Sequence, residues 1–216
     1  MIKSKAWNWN IASASHWEEP APEIYPLLKR WQREGFKKVL DLGCGIGRHA
    51  IFFSENGFVV DACDLSQEGI DTLNKLIKEN NLNITTKVSD MLSLPYGNDS
   101  FDSLVAFHAI YHTDDTGIKK VIDEIKRVLR SEGEVFITFN SKNSSAFKNP
   151  ENRHLTENTI VKTTGHEAGI PHYYASKKEV EDLLSDFKII EFSYKEEFWK
   201  SPDYAGAHYF VLAKKK

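Results

Sequence analysis

The residues best suited to chemistry form a glycine-rich stretch from Asp41 to Gly47, which directly follows the apolar pair Val39-Leu40. Glycine has no Cβ, so its backbone can adopt positive φ and approach a ligand closely. The helix predicted to follow directs free N–H groups and partial positive charge toward the same ligand. The stretch therefore predicts a site for a nucleotide-type cofactor that carries a carboxylate.

Further polar side chains follow other predicted strands. Asp64 ends the second strand, where a carboxylate can accept hydrogen bonds from both ribose hydroxyls of a cofactor. The alternative for Asp64 is to cap the next helix, although Ser66 is the better N-cap. His108 and His112 follow the fourth strand. Because an imidazole titrates near neutral pH, either histidine could take a proton from the hydroxyl or amine group of a substrate.

Two other roles are open to these histidines. Their i,i+4 spacing could form half of a metal site, or both could make structural hydrogen bonds. The sequence marks no third metal ligand, so no metal is predicted.

The elements that position these residues alternate along the chain. Strands are predicted at 38–42, 59–64, 84–89, 101–107 and 134–140, and helices at 22–33, 48–56, 66–80 and 116–130. The apolar positions recur with the period of a strand or a helix. This alternation predicts a doubly wound α/β fold, with a mostly parallel sheet and helices on both faces.

The rest of the chain has a different pattern. Residues 141–175 are polar and rich in Asn, Thr and Gly, which predicts a long irregular insertion. Ser176 and Glu179 predict a capping box at the start of the last helix. No helix separates the closing strands at 188–194 and 207–214, so an antiparallel pair is expected. The chain is expected to be one domain, divided into 1–35, 36–140, 141–175 and 176–216.

The composition disfavours several classes of protein. The net charge is −3, from 28 Lys and Arg against 31 Asp and Glu, and the two signs are interspersed, so no nucleic-acid surface is predicted. No apolar stretch reaches the roughly 20 residues that a membrane-spanning helix needs. Cys44 and Cys63 fall in predicted core elements, and the N-terminus lacks the apolar run of a secretory leader, so a cytoplasmic protein is expected.

Together these features closely resemble the class I S-adenosylmethionine-dependent methyltransferases, specifically the small single-domain group called type 11. The resemblance covers 36–139 and implies S-adenosyl-L-methionine as cofactor and a seven-stranded sheet whose last strand is antiparallel. A dinucleotide-binding fingerprint would require a glycine where this chain has Arg48, which disfavours NAD. The four matching segments are Val39 to Gly47, Asp64, Asp90-Met91, and Leu94 to Asp102.

The resemblance also implies particular cofactor contacts. Asp41 would lie near the positively charged amino acid portion, and Arg48 would meet the cofactor carboxylate or Asp41. Asp90 would accept a hydrogen bond from the adenine amino group, with an ordinary turn aspartate as the alternative. Leu65 would flank the ring, and the Met91 N–H would reach a ring nitrogen. The full expected set is Asp41, Gly43, Cys44, Gly45, Gly47, Arg48, Asp64, Leu65, Asp90, Met91, Phe107 and His108.

In this superfamily the segment after the fourth strand faces the acceptor, and the insertion overhangs it. That segment lacks the Asn/Asp-Pro-Pro-aromatic motif of enzymes that methylate base amines, and the cysteines are expected to fill the core, so no thiolate nucleophile is predicted. N-terminal aromatic residues could form a lid or pack on the sheet. Expected substrate contacts are Trp17, Tyr111, His172, Tyr173 and Tyr174, with core anchoring as the alternative for the last two.

The resemblance thus predicts an enzyme that passes a methyl group in line to an oxygen, nitrogen or sulfur nucleophile of a small-molecule acceptor. It is expected to act without nucleic acid or membrane, as a monomer or homodimer. Two alternatives stay open: a protein or RNA methyltransferase, which would need an open groove, and a non-catalytic regulatory protein that binds S-adenosylmethionine.

Overall fold

The computed structural model describes residues 5–7, 19–165, 167–198 and 205–216. Six helices and ten strands are formed within these ranges. In chain order they are α1 (Ile24–Arg33), β1 (Lys38–Leu42), α2 (Arg48–Glu55), β2 (Val59–Asp64), α3 (Gln67–Asn80), β3 (Ile84–Val88), β4 (Phe101–Ala106), α4 (Asp115–Val128), β5 (Leu129–Ser141), α5 (Ser145–Lys148), β6 (Arg153–His154), β7 (Thr159–Val161), β8 (Pro171–Ala175), α6 (Lys177–Leu183), β9 (Phe187–Phe198) and β10 (Ala205–Lys215).

The first five strands form a parallel sheet in the order β3-β2-β1-β4-β5. β10 pairs antiparallel with β5, and β9 pairs antiparallel with β10. The predicted mostly parallel sheet with an antiparallel closing strand is therefore confirmed. Because the five strands run in one direction, the residues that follow them gather at a single edge of the sheet, as predicted.

The insertion at 141–175 contains more regular structure than predicted. It holds α5, β6, β7 and β8, so the described residues form ten strands instead of the predicted seven. The prediction missed these strands because β6 has 2 residues, β7 has 3 and β8 has 5, which is too short to show a clear hydrophobic period.

The position of β8 decides what surrounds the end of β4. Asn140 on β5 pairs with Tyr174 of β8 and also with His208 of β10. Since one residue pairs on its two sides, β8 lies on the edge of β5 opposite β10, which is the edge that β4 occupies further back. β8 therefore continues the sheet beyond the carboxyl end of β4.

Helices cover both faces of the sheet. Val39 and Leu40 are neighbours on β1, so their side chains point to opposite faces, and they belong to two separate apolar clusters. α1, α2 and α3 bury residues such as Trp31 in the cluster around Val39. α4 and α6 bury residues such as Val121 and Val180 in the cluster around Leu40. The predicted arrangement of helices is confirmed.

Helix ends follow local side-chain signals. The capping box of Ser176 and Glu179 is present at the start of α6, as predicted. Asp114 accepts hydrogen bonds from the N–H groups of Thr116 and Gly117, so α4 begins at Asp115, one residue before the predicted start. Within the described ranges, every helix is too short or too polar to cross a bilayer.

Candidate cofactor and acceptor site

A cavity of about 1010 Å³ lies at the carboxyl edge of the parallel strands. Its volume is at the upper end of the range typical of small-molecule sites, which is about 300–1,000 Å³. One end follows β1, β2 and β3, and the other is formed by 107–112, the insertion and β10. The predicted residues that line it are Gly43, Cys44, Arg48, Asp64, Leu65, Asp90, Met91, Phe107, His108, Tyr111, His112, His172 and Tyr174.

The glycine loop is held against neighbouring elements by its backbone. The Gly43 N–H donates to the Cys63 carbonyl at 2.8 Å, which ties the loop to β2. Gly43 has φ 72° and Gly47 has φ 90°. A Cβ on either would lie 2.3 Å from a side-chain carbon, of Ala109 and Leu73 respectively. Both conformation and space therefore require glycine at these positions.

Asp41 lies beneath this loop and not in the cavity wall. It is 2% exposed, and its Oδ2 accepts the Ala50 N–H in the first turn of α2 at 3.0 Å. Burial raises the pKa of Asp41 to about 7, although the Ala50 hydrogen bond and the Arg48 charge favour the ionised form. Asp41 therefore holds the loop to α2. Gly45 and Gly47 are likewise part of the loop but do not line the cavity.

Asp64 lies in the cavity wall, and its carboxylate oxygens can accept more hydrogen bonds than the protein supplies. Its Oδ2 accepts the Gly45 N–H at 2.8 Å, and its Oδ1 accepts the Ser66 N–H at 2.8 Å. Burial raises the pKa of Asp64, and these two N–H groups act in the opposite direction. A carboxylate has about four lone-pair sites, so each oxygen can accept a further hydrogen bond from a ligand. The helix N-cap itself is Ser66, whose Oγ accepts the Gly69 N–H.

Asp90 lies at the end of the neighbouring strand. The Ser89 N–H donates to the Asp64 carbonyl at 2.9 Å, which joins the two strand ends. Asp90 Oδ1 accepts the Leu92 N–H at 2.9 Å, which is the ordinary turn contact considered as its alternative role. Asp90 and Met91 nevertheless both line the cavity, on the same side as Asp64.

Arg48 is the first residue of α2, directly after the glycine loop, and it lines the cavity. Its guanidinium stacks on the Phe107 ring, 5.3 Å from the ring centre, and donates to the Glu19 carbonyl at 3.3 Å. Burial lowers the pKa of Arg48, whereas the charges of Asp41 and Glu23 raise it. The side chain is therefore held at the cavity by an aromatic face and a backbone carbonyl.

His108 is partly buried and has a strained backbone conformation. It has φ 52°, in the left-handed region that side chains other than glycine rarely adopt, and its N–H donates to Thr138 Oγ1 on β5. Burial lowers the pKa of His108 well below its ordinary value, and the neighbouring His208 and Arg48 lower it further. His108 is therefore neutral and a weak base.

His112 lies in a cluster with Glu167 and His172, which meet because β8 packs beside the segment after β4. The Tyr173 N–H donates to the Tyr111 carbonyl at 2.8 Å, which joins β8 to the segment after β4. His112 Nε2 lies 3.5 Å from Glu167 Oε1, and His172 Nε2 lies 3.2 Å from the same oxygen. The structure thus brings together two histidines that are separated along the chain by residues 113–171.

Glu167 was not predicted as a site residue. Burial disfavours its charge, but His112, His172 and Lys162 together lower the pKa of Glu167 well below its usual range. The only local signal was an acidic side chain beside His166, itself outside the described residues. Its partners come from a turn and a strand elsewhere in the chain, so sequence spacing could not reveal them.

The predicted substrate contacts divide into three groups. Tyr111 and Tyr174 line the cavity, as His172 does. Tyr173 lies away from it, because its hydroxyl accepts a hydrogen bond from Asn158 Nδ2 at 3.2 Å, which matches its alternative role as a core anchor. Trp17 lies outside the described residues, whereas Trp7 lines the cavity with its ring centre 6.1 Å from that of His112.

Comparison with protein families and curated proteins gives one consistent result. Residues 39–133 match a family described as a methyltransferase domain. Methyltransferase GfsG of Streptomyces halstedii is 31% identical over 136 residues, which are 56% of this chain and 48% of that protein. The ubiquinone biosynthesis O-methyltransferase of Coxiella burnetii is 25% identical over 144 residues, 62% of this chain and 61% of that protein. The chain spans about half the length of the first curated relatives that it matches.

Solved structures share the fold over most of the chain. An S-adenosylmethionine-dependent methyltransferase from Methanosarcina mazei has a TM-score of 0.73 at 21% identity, covering 91% of this chain and 98% of its own. The 1,6-didemethyltoxoflavin-N1-methyltransferase of Burkholderia thailandensis, solved with 1,6-didemethyltoxoflavin and S-adenosylhomocysteine, has a TM-score of 0.65 at 18% identity, covering 90% and 79%. At these identities the likeness establishes the fold.

Proposed function

We propose that this chain is a class I S-adenosylmethionine-dependent methyltransferase that methylates an oxygen, nitrogen or sulfur atom of a small-molecule acceptor; the methyltransferase-domain match at 39–133 and the shared fold support this. The observation that carries the proposal is one cavity with two chemically different ends. Asp64 and Asp90 lie in the wall at one end, and His112 and His172 lie at the other.

The first end fits the adenosyl portion of S-adenosylmethionine. Asp64 offers buried carboxylate oxygens with free lone pairs, which suit ribose hydroxyls, and Asp90 keeps a second oxygen beyond its turn contact. Leu65 and Met91 supply apolar surface beside them. The loop through Gly43 allows a close approach of the backbone, which suits the amino acid portion.

The second end fits a small acceptor. Glu167, Ile170 and His172 of the insertion line the cavity together with Tyr111 of the segment after β4. This wall of side chains supports a compact acceptor over an extended polymer, and the interspersed charge of the chain supports the same choice. Two similar proteins are named for small-molecule reactions, in ubiquinone biosynthesis and on a toxoflavin precursor.

S-adenosylmethionine, when bound, supplies an electrophilic methyl group: the bond to the acceptor forms as the C–S bond breaks, and that electron pair returns to sulfur. The residues of the chain contribute binding and alignment, which in such reactions can contribute several kcal/mol. Of the two histidines after β4, His112 is assigned the role with the acceptor proton, because the lowered pKa of His108 makes His108 a weak base.

The proposal is tested by incubating the purified full chain with S-adenosylmethionine and a panel of small phenols, amines and thiols. Mass spectrometry then measures S-adenosylhomocysteine and the methylated product. We expect product with at least one class of nucleophile, and none with Asp64→Ala. If methylation occurred only on peptide or RNA, the small-molecule proposal would be wrong. Tight binding of the cofactor with no transfer to any acceptor class would instead identify a binding protein.

A further inference from the structure

We propose that His112, Glu167 and His172 form a binding site for one divalent transition-metal ion, such as Zn²⁺, at the acceptor end of the cavity. Two imidazoles and one carboxylate are the ligand set of many catalytic metal sites, which keep an open coordination position for water or substrate. The site itself does not depend on methyl transfer, and only the role given to the ion below rests on the proposed function.

The distances between the three groups suit a shared ion. His172 Nε2 lies 3.2 Å and His112 Nε2 lies 3.5 Å from Glu167 Oε1, and the ligand atoms of the three residues all lie within 4.8 Å of one another. Two ligands bound at about 2.0–2.1 Å to a tetrahedral zinc ion are about 3.3 Å apart. The two shorter separations therefore already match a common metal centre.

The orientation of His172 is the second and independent observation. Its side chain is fully buried, and its Nδ1 lies 2.9 Å from the Ile170 carbonyl, so Nδ1 carries the proton and donates it to that oxygen. The Nε2 lone pair then lies 3.2 Å from Glu167 Oε1, and no hydrogen bond of acceptable geometry is made there among the described residues. A ligating histidine typically donates its other N–H to a backbone carbonyl in this way.

A lone pair that faces a carboxylate oxygen is repulsive unless a cation or a proton lies between them. His112 Nε2 is buried in the same cluster and also lacks a hydrogen bond of acceptable geometry within the described residues. Lys162 pairs with the other oxygen of Glu167, Oε2, so Oε1 remains directed at both histidines. An ion at their common centre would satisfy all three groups at once.

Three protein ligands leave at least one position for an acceptor oxygen. A bound divalent ion lowers the pKa of a coordinated hydroxyl, so that the acceptor loses its proton to solvent and becomes a stronger nucleophile at neutral pH. His112 would then act as a ligand, and the proton of the coordinated hydroxyl would pass to solvent instead of to His112. The proposed site therefore predicts a methyl acceptor whose hydroxyl group coordinates the ion and whose carbon framework fills the rest of the cavity.

The test uses the tag-free full chain, treated with EDTA and then titrated with Zn²⁺ by calorimetry, without cofactor or acceptor. Element analysis after gel filtration gives the stoichiometry. We expect one ion per chain, and a loss of affinity of more than about 100-fold in His172→Gln and in Glu167→Gln, beyond the effect of losing a supporting hydrogen bond. Glu167→Gln covers the case in which the buried His172 variant fails to fold.

His154→Gln is the matched control, because His154 is exposed on β6 and does not line the cavity. It should bind Zn²⁺ like the unchanged chain. Co²⁺ loaded into the site should show the visible absorption of a four-coordinate ion, lost in Glu167→Gln. Absence of stoichiometric Zn²⁺, or equal binding by Glu167→Gln and His154→Gln, would overturn the proposal. Titration of the metal-free chain with S-adenosylhomocysteine tests the proposed function separately.

Discussion

Asp64 is the single side chain on which the cofactor end depends most. It holds Gly45 and Ser66 by their N–H groups, and its remaining lone pairs face the cavity. We predict that Asp64→Asn weakens S-adenosylhomocysteine binding about 10- to 100-fold, because a hydrogen bond to a charged group contributes about 1.5–3 kcal/mol. Calorimetric titration measures the dissociation constant.

The control for this prediction is Asp61→Asn on the same strand. Asp61 pairs with Lys38 at 3.3 Å and does not line the cavity. Its replacement should leave the affinity within about twofold of the unchanged chain, since it removes no ligand contact. Equal losses in both variants would show that Asp64 acts through the strand and not through the ligand.

His112 is predicted to matter for the reaction and not for cofactor binding. We expect His112→Ala to lower the turnover number about 10²- to 10⁴-fold, the range for losing a group that assists proton removal. The affinity for S-adenosylhomocysteine should stay within about twofold. Single-turnover kinetics and calorimetry separate the two effects, with the exposed His154→Ala as control. Unchanged turnover would remove His112 from the mechanism.

The sequence predicts a site residue only where the pattern of strands and helices around that residue shows where it will lie. Asp64 and Asp90 end neighbouring parallel strands, so their meeting in one wall follows from the alternation of elements alone. Glu167 meets His112 only because the insertion returns as β8 beyond the end of β4. The pairing of such short strands leaves no periodic signal in the sequence.

Among the elements, α1 is joined to β5 by an ion pair between the partly exposed Arg30 and the buried Glu134. Glu134 is fully buried, accepts two hydrogen bonds from the Arg30 guanidinium at 2.8 and 2.7 Å, and accepts one from Trp31 Nε1 at 3.0 Å. We predict that Arg30→Met lowers the free energy of unfolding by about 3 kcal/mol, because it leaves a buried carboxylate without its cation. Urea denaturation monitored by tryptophan fluorescence measures the loss.

A double variant tests this explanation. Adding Glu134→Gln to Arg30→Met removes the unpaired charge while keeping the side-chain volume. It should therefore recover part of the lost stability, since a buried neutral amide costs less than a buried charge. A double variant no more stable than Arg30→Met would show that the single change acts through lost packing of the arginine stem.

The capping box of α6 gives a prediction about pH. Burial opposes the charge of Glu179, but hydrogen bonds from Ser176, Asn158 and Lys142 outweigh it and lower its pKa from 4.5 to about 2. A carboxylate with a depressed pKa stabilises the fold above its unfolded value, and this contribution is lost as the pH falls through the folded value. The contribution of Glu179 to stability is therefore lost as the pH falls from about 4.5 to about 2.

We predict that Glu179→Ala lowers the free energy of unfolding by about 1 kcal/mol at pH 7, the usual contribution of a cap. The difference from the unchanged chain should narrow as the pH is lowered from 5 to about 3, because protonation removes the same charge in the unchanged chain. Glu181→Ala on the same helix, whose pair with Lys177 is long at 3.8 Å, is the control. A difference that stayed constant with pH would contradict the linkage.

At the scale of whole elements, long periodic segments were predicted well and short ones were not. β1 and β2 have the predicted bounds, and the apolar positions of α1 are buried as expected. The strands β6 to β8 were missed, because their pairing depends on β5 and on one another more than on their own sequence. That region also supplies Glu167, Ile170 and His172 to the proposed acceptor end of the cavity.

For the molecule as a whole, one parallel sheet edge gathers the ends of strands that are far apart in sequence, and one cavity runs along it. The ends of the parallel strands line the proposed cofactor end, and 107–112 and the insertion line the proposed acceptor end. The matched domain at 39–133 contains Asp64, Asp90 and His112, whereas Glu167 and His172 of the same cavity lie after it.

The most direct measurement of this account is a calorimetric titration of the full chain with S-adenosylhomocysteine, alongside NADH. The account predicts one binding site per chain for S-adenosylhomocysteine, lost in Asp64→Ala, and no heat of binding with NADH. Tight binding of NADH without binding of S-adenosylhomocysteine would contradict the assignment of the cavity to an adenosyl methyl donor.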